Sequence, residues 1–132
     1  MKIKVSSIYV NDQAKALRFY TEVLGFVKKN DFTQGPFRWL TVVSPEAPDG
    51  AELQLALNDD PDVRIYQQAM FEKRRPGAMF FVDDVQREYD RMKPLGAEFT
   101  VPPTKVTGST IAMVNDTCGN VIQIAAIDRW QT

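Results

Sequence analysis

Two glutamines are the residues of this sequence whose type and spacing first indicate a chemical role. Gln54 and Gln123 occupy matching positions in two similar stretches, residues 50–55 and 119–124. A side-chain amide both donates and accepts hydrogen bonds, so a pair of amides can orient a polar ligand. Two interpretations stay open at this point. The glutamines bind a ligand, or they hydrogen-bond inside the protein to one another or to water.

Few residues could act as a general acid, a general base or a nucleophile, because the 132-residue chain contains no histidine. This excludes Ser–His and Cys–His catalytic pairs and imidazole metal ligands. Glu52 is the best-placed carboxylate for a general base, with Tyr9 as a candidate acid, and the role requires an enclosed Glu52 with a raised pKa. Cys118 is the only cysteine, which excludes an intramolecular disulfide and a cysteine-rich zinc site.

Charge and hydropathy exclude other classes of function. The 16 basic residues nearly balance the 17 acidic ones, for a net charge of −1, which gives no general attraction to nucleic acid or to an anionic membrane. The N-terminal residues lack the apolar core of a signal peptide, and no apolar run is long enough to span a bilayer. We therefore expect a single domain over residues 1–132, located in the cytoplasm, with no nucleic-acid or membrane partner.

The sequence repeats itself at an offset of 69 to 72 residues. Val10-Asn11-Asp12 returns as Val82-Asp83-Asp84, Leu24-Gly25-Phe26 as Leu95-Gly96-Ala97, and residues 50–55 as residues 119–124. A near-constant offset indicates two copies of one structural unit. We predict a first module over about 1–57, a linker over about 58–75 and a second module over about 76–127.

Each module is predicted to contain a strand, a helix and three further strands. The predicted strands are 3–10, 27–30, 37–43 and 52–57 in the first module, and 78–82, 97–101, about 109–115 and 120–126 in the second. Asn11 or Asp12 is expected to cap the first helix, which continues to Leu24, and the second helix starts at Asp84. Pro102-Pro103 is expected to interrupt the connection after strand 97–101.

Period-two alternation places the remaining candidate residues on one face of each predicted sheet. Ile8 and Val10 should pack beneath the helix, so Ser7 and Tyr9 point to the other face. The candidate ligand-binding residues on these second faces are Ser7, Tyr9, Trp39, Gln54, Phe81 and Gln123. Their aromatic members either wall a pocket for a planar or apolar ligand or simply fill a closed interior.

The motifs around these strands resemble those of the glyoxalase/bleomycin-resistance/extradiol-dioxygenase superfamily, the vicinal oxygen chelate fold. They are residues 8–12, 16–20, 24–26, 81–84, 95–97 and 116–120, and the likeness covers nearly the whole chain. The resemblance implies an α+β protein of two βαβββ modules, whose curved mixed sheets form a cup, usually in a homodimer. Thr117 departs from the family, which commonly has proline after the aspartate, and we expect this to affect one turn only.

The same resemblance implies a divalent metal held by four side chains, two from each module and typically histidine or glutamate. The corresponding positions here are Val5, Gln54, Gly77 and Gln123. Valine and glycine offer no ligand atom, and two neutral amides bring no charge to a site for a hard cation. We therefore expect neither a metal nor another cofactor.

These observations lead to one functional prediction with two alternatives. We predict a metal-independent member of this superfamily that binds a small organic molecule in its cup without making or breaking a bond. The first alternative is a metal-free isomerase or lyase that uses Glu52 as its base. The second is a structural dimer module whose cup is filled by side chains.

Overall fold

A computed structural model describes residues 1–130 and shows two compact units. The last two residues of the predicted domain, 131 and 132, lie outside the described residues. Unit 1 is Met1–Gln67 and unit 2 begins at Gln68. Unit 1 contains β1 (Val5–Val10), α1 (Gln13–Arg18), β2 (Val27–Gln34), β3 (Phe37–Val43) and β4 (Glu52–Leu57). Unit 2 contains β5 (Pro76–Phe81), α3 (Val85–Met92), β6 (Glu98–Val106), β7 (Ser109–Asn115) and β8 (Val121–Ile127). The helix α2 (Pro61–Glu72) crosses from one unit to the next.

Each unit is built on a four-stranded mixed sheet. The strand order is β1-β4-β3-β2 in unit 1 and β5-β8-β7-β6 in unit 2. The last strand of each unit lies parallel to the first and antiparallel to the third. Both units therefore have the predicted strand–helix–three-strand order, and the predicted α+β class is confirmed. None of the described helices has the length and apolar character needed to cross a membrane.

An aspartate side chain caps the helix that follows the first strand of each unit, and of the two predicted candidates for α1, Asn11 and Asp12, the cap is Asp12. Asp12 accepts a hydrogen bond from the Lys15 amide, and Asp84 accepts one from the Arg87 amide, both at 3.0 Å. An acceptor at this position satisfies an amide that has no partner within the first turn of the helix. The repeat in the sequence is therefore a repeat of the same helix start.

The helix of unit 1 differs from the prediction in its second half. The α-helix ends at Arg18 and a single π-helical turn follows over Phe19–Val23. The amide of Leu24 donates to the carbonyl of Phe19 at 3.0 Å, five residues earlier. Phe19 and Tyr20 are both buried and meet edge to face at 5.6 Å. Spacing along the sequence does not reveal this wide turn, because a single π-helical turn is too short to show a period of its own.

Strand bounds also depart from prediction by two residues or more in four places. β5 begins at Pro76 rather than at residue 78. β1 begins at Val5 rather than at residue 3, and β2 continues to Gln34 rather than ending at residue 30. β6 runs through Pro102-Pro103 to Val106, although the prolines were expected to interrupt the chain there. The pairing register shifts between Val101 and Thr104. Proline is tolerated because β6 lies at the edge of its sheet, where the missing amide donors break no inner ladder.

The core of each unit lies between its sheet and its helices. In unit 1 the buried side chains include Ile8, Val10, Ala16, Tyr20, Leu40, Val42 and Leu55. In unit 2 Val85, Ala112, Ile124 and Ala126 form a buried cluster, against which Phe80, Val82 and Phe99 pack. Alternation predicted the helix-facing residues of β1, β3, β4 and β5 and Ile124 of β8, whereas Ala112, Ala126 and Phe99 were not predicted. The opposite face of each sheet, called the second face below, carries the candidate site residues.

Candidate functional site

The second face of unit 1 is ordered in rows that run across the four strands. Because residues paired directly across strands point to the same side, the register identifies each row. The polar row is Ser7, Gln54, Thr41 and Asn30. On one side of it, Tyr9 pairs with Ala56 and Trp39 pairs with Phe32; on the other side, Val5 pairs with Glu52, which pairs with Val43. The face therefore has a polar centre with aromatic residues along one flank.

The predicted amide Gln54 is held by a serine of the neighbouring strand. Ser7 Oγ donates to Gln54 Oε1 at 2.7 Å. In the described part of the chain the NH₂ group of Gln54 has no hydrogen-bond partner, so its two N–H donors are available. Gln54 is half-buried. Ser7 thus fixes the oxygen of the amide and leaves its nitrogen for another group.

Glu52 accepts hydrogen bonds as a carboxylate. The alternative in which it acts as a general base requires a raised pKa, whereas its pKa is lowered. Its Oε1 accepts from Thr41 Oγ1 at 2.7 Å and from Asn30 Nδ2 at 2.8 Å. These two hydrogen bonds lower the pKa of Glu52 below its ordinary value, and the bond from Thr41 has the larger effect. The positive charges of Lys4 and Lys29 lower it further. Glu52 is ionised at neutral pH and is a weaker base than an ordinary glutamate.

Three aromatic side chains flank the polar row of unit 1. Tyr9 is 46% exposed, Phe32 is 58% exposed and Trp39 is half-buried. Phe32 was not among the predicted site residues, because the predicted second strand stopped at residue 30. Phe32 and Thr33, two residue types that are enriched in strands, were the signal in the sequence that the strand continues.

The second face of unit 2 is more apolar than that of unit 1. Its central row is Met79, Gln123, Met113 and Val101, and Phe81 lies in the next row beside Ala125. Met79 and Phe81 are each about half exposed, at 48% and 51%. Gln123 is half-buried and has no hydrogen-bond partner among residues 1–130. A lone amide among methionines and a phenylalanine offers one polar anchor to an otherwise apolar ligand.

The structure gives two further reasons why a metal does not fit the four family positions. Gln54 Oε1 is already engaged by Ser7, and a side chain at position 77 would meet a packed neighbour. A Cβ at Gly77 would lie 3.0 Å from Asn120 Oδ1, and Asn120 is held by two hydrogen bonds to Asp116. Within the described range no group of three or more His, Cys, Asp or Glu residues is suited to hold a metal ion. The residues at the family positions of each unit therefore do not fit a divalent metal.

Cys118 belongs to a tight turn between β7 and β8. It is fully buried, and its backbone amide donates to Asp116 Oδ1 at 2.7 Å. Thr117 has a positive φ of 63° in this turn. Proline cannot adopt that angle, so the departure at Thr117 corresponds to a turn in which the proline of the family would not fit.

An open hollow of about 410 Å³ lies at the turn between β6 and β7 and the end of β8. It is lined by Thr107, Gly108, Ser109, Ile127, Asp128 and Arg129. None of these is a predicted site residue, and Asp128 already pairs there with Lys105. The hollow is separate from the polar and apolar rows described above.

Comparison with known proteins identifies several close similarities. Residues 2–124 match the model of the family described as the Glyoxalase/Bleomycin resistance protein/Dioxygenase superfamily. The uncharacterised protein YurT of Bacillus subtilis is 53% identical over 124 residues, which cover 94% of this chain and 98% of YurT.

Solved structures are similar to this chain over nearly its whole length. UcmS2 superposes with a TM-score of 0.82 at 28% identity, over 95% of this chain and 97% of that one. TnmS3 from Streptomyces sp. CB03234 is described as an antibiotic binding protein. It superposes with a TM-score of 0.73 at 28% identity over 96% of both chains.

Proposed function

The chain belongs to the glyoxalase/bleomycin resistance protein/dioxygenase superfamily, and on that premise we propose that it binds a small organic molecule on its second faces without the help of a metal. One observation carries the proposal. In each unit a side-chain amide, Gln54 or Gln123, has N–H donors that bond to no other described residue, and it lies among half-exposed aromatic or methionine side chains. Apolar surface with a few fixed polar groups is the usual composition of a small-molecule site.

The similarity to TnmS3 supports this proposal, since that protein is an antibiotic binding protein. We propose the corresponding class of role here: reversible binding of an organic compound, with no reaction. The lowered pKa of Glu52 disfavours the alternative in which this residue abstracts a proton. The half-exposed Tyr9, Met79 and Phe81 disfavour the alternative in which side chains fill the site within each unit.

We further propose that the protein is a cytoplasmic homodimer. The edge strands β1 and β2 of unit 1 and β5 and β6 of unit 2 have one unpaired side each in their own sheets, and such edges are commonly covered by a partner. Cys118 is buried and is the only cysteine of the sequence, so the chain needs no oxidising environment to form a disulfide within itself, which suits a reducing compartment.

The proposed binding is tested first by thermal-shift screening of a panel of metabolites and antibiotics. A compound that binds the folded state raises its melting temperature. Gln54→Leu and Gln123→Leu keep a similar side-chain volume and remove the amide. Each should weaken binding of a hit about 5- to 150-fold if a buried hydrogen bond of about 1–3 kcal/mol is lost. The exposed Lys73 provides the control, since Lys73→Ala should leave binding unchanged.

Fluorescence gives a second readout of the same binding. The chain contains two tryptophans, so a Trp130→Phe background leaves Trp39 as the only one. A ligand on the second face of unit 1 should change the emission of Trp39, because the indole loses water or gains a stacking partner. If both leucine variants stay folded and bind within about twofold of wild type, the proposed site is wrong.

A further inference from the structure

The carboxylate of Glu52 has one oxygen fixed by hydrogen bonds and a second oxygen that accepts none from the part of the chain that the structure describes. Both hydrogen bonds to it, from Thr41 Oγ1 and Asn30 Nδ2, end on Oε1. Within residues 1–130 no donor hydrogen-bonds to Oε2. An ionised carboxylate accepts through both oxygens. The orientation of Glu52 is therefore set by one oxygen, while the other is available to a ligand.

The charge of Glu52 is also not neutralised by contact with a lysine. Lys4 and Lys29 are near enough to lower its pKa, yet in the described part of the chain neither forms an ion pair with it. Lys29 Nζ instead donates to the carbonyl of Pro48 at 2.9 Å and to Asp49 Oδ1 at 3.3 Å. A negative charge with one unbonded oxygen therefore remains on the second face of unit 1.

Gln54 presents complementary groups close to this acceptor. Glu52 and Gln54 are two residues apart on β4 and point to the same face, which separates their positions by about 6.5–7 Å along the strand. Ser7 occupies the amide oxygen of Gln54, so the free groups are its N–H donors. The face thus offers an anionic acceptor, then neutral donors, then the aromatic side chains of Tyr9 and Trp39, in that order along the strands.

We propose that this face selects ligands that have an aromatic body and a positively charged N–H group, with the N–H group bound by Oε2 of Glu52. The proposal rests on the proposed ligand-binding function and names the class of ligand for unit 1. A hydrogen bond between two charged groups is about twice as strong as one between neutral groups. The aromatic body contacts Tyr9 and Trp39, and a polar acceptor on it takes the N–H donors of Gln54.

A matched pair of dyes tests the preference for a cation. The probe 9-aminoacridine is a flat, positively charged tricycle at neutral pH, and acridone is a neutral tricycle of nearly the same shape. We expect wild-type protein to bind 9-aminoacridine about 5- to 20-fold more tightly than acridone, because this face is partly exposed and the charged bond is weakened accordingly. Glu52→Gln should remove most of that preference and leave acridone binding unchanged.

Two further variants separate this local effect from overall charge and from misfolding. Glu46→Gln makes the same change of net charge in an exposed turn, so it should retain the wild-type preference. Lys4→Ala removes a positive charge near Glu52 at an exposed position, so it should strengthen binding of 9-aminoacridine and leave acridone unchanged. The second variant tests the proposal even if Glu52→Gln does not fold.

The outcomes that overturn the proposal differ from those that overturn the proposed function. Equal affinity of wild type for the two dyes, a preference that persists in Glu52→Gln, or no binding of either dye would each overturn the assignment of Glu52. The proposed function itself depends on the compound panel and the two glutamine variants, and it survives if an uncharged compound binds in a manner sensitive to Gln54 or Gln123.

Discussion

Individual hydrogen bonds determine the chemistry of Glu52. A base in an enclosed apolar site has a raised pKa, whereas a carboxylate that accepts hydrogen bonds is stabilised in its charged form. Thr41 and Asn30 supply those hydrogen bonds here. Their effect is visible in the pH dependence of stability, and it gives the first prediction.

We predict that Glu52 stabilises the protein at neutral pH and loses this effect in acid. Its pKa in the folded protein lies below its ordinary value of 4.5, so its contribution is present above that value and disappears as the pH falls through the lower, folded-state pKa. Glu52→Gln should therefore lower the melting temperature at neutral pH by an amount that shrinks progressively in acid below about pH 4.5. Thermal unfolding followed by circular dichroism measures this, with Glu46→Gln as the control. A difference that grows on acidification would contradict the assignment.

Thr117 supplies the second prediction at this scale. A β-branched residue at a φ of 63° is strained. Thr117→Gly should raise the stability by about 0.5–1 kcal/mol, because glycine adopts positive φ freely. Thr117→Pro should lower the stability by about 3 kcal/mol, because proline cannot adopt this φ and lacks the amide that donates to Asn115 Oδ1.

Chemical denaturation of the two Thr117 variants and of wild type measures both changes. Because glycine should raise the stability and proline should lower it, a general disturbance of the turn by any substitution cannot explain both results. If proline is tolerated without loss, the turn does not have this left-handed residue.

At the scale of secondary-structure elements, the end of α2 is as well defined as the starts of α1 and α3. The amide of Arg74 donates to the carbonyl of Phe71 at 3.0 Å, and that of Arg75 donates to the carbonyl of Met70 at 2.9 Å. This pair of bonds is the Schellman motif, which places a left-handed residue just after the helix. Arg74 occupies that position with a φ of 58°, although glycine is the residue usually found there.

We predict that Arg74→Gly stabilises the protein by about 0.5–1 kcal/mol, since it removes the strain of a Cβ at positive φ. Arg74→Ala is the matched control, because it removes the same charge and side chain but keeps the Cβ. The glycine variant should melt a few degrees higher than the alanine variant. Equal melting temperatures of the two variants would contradict the prediction, because they would show that a Cβ at this position adds no strain.

At the scale of the whole molecule, the residues at the four family metal positions predict how the protein responds to chelators. Two of the positions offer no ligand atom, and Gln54 Oε1 is engaged by Ser7. Purified protein should therefore contain no stoichiometric divalent metal, and a chelator should leave its melting temperature unchanged. Elemental analysis and thermal unfolding measure the two quantities. One zinc, nickel, iron or manganese ion per chain, together with destabilisation by a chelator, would contradict the prediction.

Assembly is the second prediction at this scale. The proposed homodimer should sediment at micromolar concentration with about twice the chain mass of 15.0 kDa. Sedimentation velocity over a range of concentrations measures this. A single species with the mass of one chain throughout that range would contradict the proposed dimer.

Much of the fold follows from local features of the sequence. Alternation in Ile8-Tyr9-Val10 predicted which side chains of β1 are buried, and the repeated aspartates predicted the starts of α1 and α3. These features depend on neighbouring residues only, since the geometry of a strand or a helix start is set within a few residues. The π-helical turn at Phe19–Val23 and the passage of β6 through Pro102-Pro103 were not predicted. The π-helical turn depends on how Phe19 and Tyr20 pack in the core, and the passage through the prolines depends on the position of β6 at the edge of its sheet.

The candidate site shows the same division. Its sequence by itself determined that Gln54, Trp39 and Tyr9 share one face, because residues alternate along each strand. Only the tertiary structure decided that Ser7 holds Gln54, that Phe32 lies beside Trp39, and that Glu52 has a lowered pKa. Ser7 and Gln54 are 47 residues apart in the chain. Their contact exists only through the register in which β1 and β4 pair, because backbone hydrogen bonds between distant strands, rather than local sequence, determine which polar side chains meet.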